Sequence, residues 1–115
     1  MLTVLTQPGR SFMGRLAKGN DLLQSLEKLC REHDITLGEI RAVGAVTRAR
    51  VGYYHQKERK YYFLEMDQPL EILALVGNIS LKDGQPMVHA HVTLADNAGR
   101  TFGGHLGEGT PVFAC

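Results

Sequence analysis

An α+β domain with a mostly antiparallel sheet is the fold class this sequence predicts, on three observations. One segment, Asn20 to Asp34, repeats apolar residues at helical spacing, whereas several others alternate with the period of two that suits a strand. Asp83 and Gly84 fall between two long β-rich runs, where a tight hairpin would pair them antiparallel. The result is a single domain over residues 1–115, with about seven short strands and one main helix at about residues 21–33 packed on the sheet. At 115 residues the chain can bury roughly 65% of its unfolded surface, enough for a real core.

In chain order, LTVLT (2–6) and SFMGRL (11–16) are short strand candidates separated by the turn at Pro8 and Gly9. GNDLLQSLEKLCREHDI then changes period. Asn20 or Asp21 can cap a helix whose Leu22, Leu23, Leu26, Leu29 and Cys30 form one apolar stripe, and the helix ends near His33 or Asp34. EIRAVGAVTRARVGYYH (39–55) is extended in pattern, and HQKERK (55–60) is a solvated hairpin loop leading into the strand YYFLEM. Next come the two runs of PLEILALVGNISLKDGQPMVHAHVTLAD (69–96), joined at Asp83-Gly84. A turn at DNAG (96–99) returns the chain through RTF into GGHLGEGTPVFAC, and VFAC has the pattern of a strand that is just beginning, as if a last C-terminal element were missing.

Thirteen Lys and Arg against 12 Asp and Glu leave a net charge of +1, with no basic arm. That balance argues against a protein that grips nucleic acid by neutralising phosphates. Cys30 and Cys115 are far apart in unrelated contexts, so no disulfide framework is expected, and Cys30 on the helix stripe acts as a small hydrophobe. MLTVLTQPGR lacks the charged and apolar regions of a signal peptide, and no run of 18 apolar residues exists, so a cytoplasmic protein without a membrane partner is expected.

The chemistry concentrates in VHAHV (88–92). On a strand, Val88, Ala90, Val92 and Leu94 share the core face and His89, His91 and Thr93 share the other. Two imidazoles two residues apart can lean onto one ion at a Zn–N distance of about 2.0 Å, although an H-x-H pair alone is a weak signal. His105 strengthens it, since the preceding Gly103 and Gly104 permit close backbone approach to another element. Three neutral histidines without a fourth protein ligand make a zinc site that keeps a position open for water or a substrate oxygen.

Other candidates are weaker. His33 suits a helix C-terminus, and His55 is a surface residue beside a loop. Glu108, three residues after His105, is a candidate general acid or base or an orienting carboxylate; a plain loop carboxylate is the competing reading. Tyr53 with Tyr54 and Tyr61 with Tyr62 read as one ring in and one ring out on adjacent strands.

RLAKGNDLLQSL, VGAV, PLEILALVGNIS, DGQPMVHAHVTLAD and GRTFGGHLGEGT, in that order and spacing, resemble the PPC domain shared by plants and prokaryotes, in its stand-alone prokaryotic form, from about residue 12 onward. The resemblance implies an antiparallel sheet of about seven strands with flanking helices, a homotrimer, and a three-histidine metal site at His89, His91 and His105. The domain also resembles acetolactate decarboxylase in fold and histidine cluster. Plant members carry AT-hook arms that enter the DNA minor groove, and prokaryotic relatives share a DNA-binding label; no such arm exists in this sequence. Three functions follow as expectations: a trimeric module binding Zn2+ or another late first-row divalent metal together with a small-molecule ligand, a DNA-associated regulator, or a zinc-dependent enzyme acting on a small oxygenated molecule.

Overall fold

Asp21 starts the helix. In the computed structural model, which describes residues 1–115, its extended backbone caps α1 (Leu22–Glu32), and one carboxylate oxygen accepts the Gln24 N–H at 3.0 Å. The other oxygen accepts the N–H groups of Gly109 and Thr110 at 2.7 and 2.9 Å. One side chain therefore both caps the helix and ties it to a segment nearly ninety residues away. His33 takes the C-cap position, as its place at the end of the apolar stripe predicts. Leu22, Leu26 and Cys30 are buried, while Leu23 and Leu29 flank them half-buried.

The remaining elements are seven strands: β1 (Gly38–Val46), β2 (Ala49–His55), β3 (Lys60–Met66), β4 (Leu70–Lys82), β5 (Gln85–Ala95), β6 (Thr101–Leu106) and β7 (Val112–Ala114). They form one antiparallel sheet in the order β3-β2-β6-β5-β4-β1-β7. The extended stretch 39–55 is therefore two strands that do not pair with each other. Asp83 and Gly84 both have positive φ, 52° and 75°, the conformation a two-residue hairpin between β4 and β5 demands and glycine takes without strain. Loop 56–59 closes the β2–β3 hairpin, and Asp96 closes the turn before β6 by accepting the N–H groups of Ala98 and Arg100 at 2.9 Å each.

Helix α1 lies on one face of this sheet, against β5, and the core is the layer between them. Val88, Ala90, Val92 and Leu94 supply the β5 side of it, joined by Leu75, Ile79, Val51 and Leu106 from neighbouring strands. The opposite sheet face has no helix on it.

LTVLT and SFMGRL are not strands, contrary to their local pattern. A strand exists only with a hydrogen-bonded neighbour, and β7 beside this region is three residues long. Leu16 N–H donates at 2.7 Å to the carbonyl of Cys115, one residue past β7, and residues 1–15 lie exposed.

Candidate metal centre

Register alone brings the histidines together. On β5, burying the even-numbered residues Val88 to Leu94 forces His89 and His91 onto the uncovered face. His91 pairs directly with His105 across β5 and β6, so the third imidazole joins the same face. Ring centroids stand 5.2 Å apart for His89 and His91, 5.0 Å for His89 and His105, and 5.9 Å for His91 and His105. One nitrogen of each ring can be chosen so that all three lie within 4.8 Å of one another. The three histidines are thus close enough to bind one metal ion, from two adjacent strands and with the outer side open.

Two further observations fit a metal. The Nδ1 of His105 is buried without a hydrogen-bond partner, an arrangement that costs about 1–3 kcal/mol unless something else satisfies it. Burial, followed by the proximity of His89 and His91, pushes the His105 pKa below the usual imidazole value, which favours the neutral ring a metal needs. With nitrogen donors only, the set suits late first-row ions better than magnesium or calcium.

The sheet packs closely around this point, as the glycines before His105 suggest: a Cβ on Gly104 would stand 2.7 Å from the Gly52 carbonyl. Gly52 itself is the β2 partner of His105, so the position directly opposite that ring carries no side chain. Rings from β3 fill the gap. Phe63 lies over Gly52, where a Cβ would meet its ring at 2.8 Å, and Tyr61 lies against His105 with centroids 4.6 Å apart and planes 32° apart. Tyr61 also stacks on Phe63, whose ring carries the Arg50 guanidinium at 3.6 Å.

The expected one-in, one-out tyrosines therefore need correction. Tyr54 and Tyr61 point to the histidine face and Tyr53 and Tyr62 to the other, yet all four are at least 41% exposed, because α1 does not extend over the β2–β3 hairpin. No sequence signal separated Tyr61 from its neighbours, because the pairing that sets Gly52 opposite His105 joins strands distant in the chain. Glu108 is exposed on the loop after β6, and its carboxylate is not among the clustered ligand atoms. His55 sits at the end of β2, where its Nδ1 accepts the Glu58 N–H at 3.2 Å. His33 contacts Phe12 and stands apart from the cluster.

A family model for the Plants and Prokaryotes Conserved (PCC) domain matches residues 5–115. A metal-containing protein from Archaeoglobus fulgidus superposes with a TM-score of 0.94 at 42% identity, covering 100% of this chain and 81% of its own. A plant- and prokaryote-conserved protein from Pyrococcus horikoshii gives the same TM-score at 35% identity, covering 99% and 79%. A Ralstonia eutropha JMP134 protein whose name proposes DNA binding gives 0.78 at 30% identity, covering 85% and 67%. Among curated proteins, the bifunctional protein GlmU of Synechococcus sp. (strain JA-3-3Ab) is 40% identical over 105 residues, 90% of this chain; the chain spans only 16% of that relative's length.

Proposed function

Since the chain belongs to the Plants and Prokaryotes Conserved domain family, we propose that it is a metal-binding module in which His89, His91 and His105 hold one zinc ion, or another late first-row divalent ion. A coordination position stays open for a small ligand. The observation that carries this reading is the convergence of three imidazoles from two adjacent strands, one with a buried, unpartnered nitrogen. The metal-containing relative from Archaeoglobus fulgidus, 42% identical over the whole chain, supports it.

Zinc bound by three neutral histidines supplies a Lewis acid and lowers the pKa of a bound water to about 7. The chain's own contribution is to keep the rings neutral and aligned. Burial favours the neutral form of the His105 ring, and the β5–β6 register fixes the spacing of all three. An empty face over the histidines and an unpaired edge on β3 also suit self-association, which the reading takes to be a homotrimer in the cytoplasm. A sedimentation mass of one chain would refute the trimer without touching the metal site.

Metal analysis of protein purified with zinc present tests the site: about one equivalent per chain is expected, and His91→Ala should lose most of it. Wild-type protein that stays empty at neutral pH refutes the proposal. The name of the Ralstonia relative favours a second reading, a DNA-associated regulator, against which the net charge of +1 weighs. That reading requires duplex binding that weakens steeply between about 50 and 200 mM salt.

A further inference from the structure

Metal-binding histidines are ordinarily held in orientation by a hydrogen bond from the second ring nitrogen to a carboxylate or carbonyl. Neither ring nitrogen of His105 makes a hydrogen bond within the protein, so whichever one meets the ion, the other gives the ring no such anchor. On its β5 side it meets His89 and His91, which would themselves need orienting. On its β2 side the directly paired residue is Gly52, which offers no side chain to hold the ring. The surface that remains is the face of Tyr61, reaching over Gly52 from β3.

Tyr61 is in turn wedged. Tyr54, its cross-strand partner, contacts it with centroids 5.1 Å apart, and Phe63 stacks on it at 5.9 Å with planes 29° apart. Phe63 lies over Gly52 and against the Arg50 guanidinium, which is itself within 3.8 Å of the Glu65 carboxylate. A row of flat groups thus runs Arg50, Phe63, Tyr61, His105, ending on the metal-facing imidazole. Each member limits the tilt of the next.

We infer that Tyr61 is a positioning residue for the metal centre: the face of its ring, rather than a hydrogen bond, holds the His105 imidazole in the orientation that lets it share an ion with His89 and His91. This rests on the metal-binding reading above. The role needs a flat ring and not a hydroxyl, so the phenol oxygen should be dispensable.

Zinc affinity, measured by competition with a chromophoric chelator, and the visible spectrum of the cobalt(II)-loaded protein test it together. Tyr61→Phe should keep both, with affinity within about twofold. Tyr61→Ala and Tyr61→Leu should weaken zinc by about tenfold or more, the range found when groups that orient metal ligands are removed, and should shift the cobalt bands. Tyr62→Ala, which removes a β3 ring from the opposite face, where it packs against His55, should change neither. Denaturation of the metal-free variants shows which are folded, and the leucine variant stands in if the alanine one is not. Wild-type affinity and spectrum in a folded Tyr61→Ala or Tyr61→Leu protein would overturn the inference, as would a Tyr61→Phe protein as weak as Tyr61→Ala. Wild-type protein that takes up neither zinc nor cobalt overturns the metal-binding reading itself, and this inference with it.

Discussion

His91 and His105 are direct cross-strand partners in β5 and β6, and His89 approaches both from two residues along β5. Strand register puts them on one face, since a slip of one residue in either strand would send its histidines into the core layer.

Removing one donor should leave the fold and lose the metal. His91→Ala and His105→Ala are each expected to weaken zinc binding by about 100-fold or more, beyond the loss from an outer-shell change, with the sheet intact by circular dichroism. His33→Ala, at the helix C-cap and away from the cluster, should bind as wild type.

Acid should act on the metal-free protein through His105. Burial, then the two neighbouring imidazoles, lowers the folded pKa of this ring below its ordinary 6.5, so the unfolded chain takes up the proton first as pH falls. The contribution is complete above 6.5 and is lost as pH drops from there toward the folded value. Urea midpoints of chelator-treated protein between pH 7.5 and 5 should therefore decline, and His105→Ala should flatten that decline. Bound zinc should raise the midpoint at pH 7.5 in proportion to the logarithm of its free concentration.

Asp21 ties the helix start to the loop after β6. Asp21→Ala removes the cap and leaves the N–H groups of Gly109 and Thr110 without their acceptor, an expected loss of about 2 to 4 kcal/mol by urea denaturation. Asp21→Asn keeps one accepting oxygen and should fall between it and wild type.

Gly52→Ala drives a Cβ to 2.8 Å from the Phe63 ring. Displacing that ring should cost about 1 to 3 kcal/mol, measurable as a lower urea midpoint with an unchanged slope.

A second acid-sensitive group lies at the β5–β6 turn. Burial alone would raise the Asp96 carboxyl, but the N–H groups of Arg100 and Ala98 and the Arg100 guanidinium outweigh it and hold the group below the ordinary carboxylate range. Protonation then occurs first in the unfolded chain as pH falls below about 4, so this contribution is present above that value and disappears below it. Asp96→Asn should show a shallower loss of stability between pH 4 and 2.5.

Much of this was legible in the residues. Alternation in VHAHV assigned the faces of β5, Asp83-Gly84 marked the hairpin, and the Leu22 to Cys30 stripe set the helix. What misled was the same local logic applied at the N-terminus, where LTVLT alternates well but meets no strand to pair with. Pairings between distant strands, such as β2 with β6, leave no trace in either segment, so the position of Gly52 beside His105 could not be read in advance. The contact of Tyr61 depends on that pairing and was hidden with it.

β5 is the fourth of seven strands, with three neighbours on either side. Two of the three donors therefore ride on the part of the sheet whose amides open last, when fraying has already released the outer strands. The spacing of His89 and His91 therefore survives the fraying that loosens either edge of the sheet.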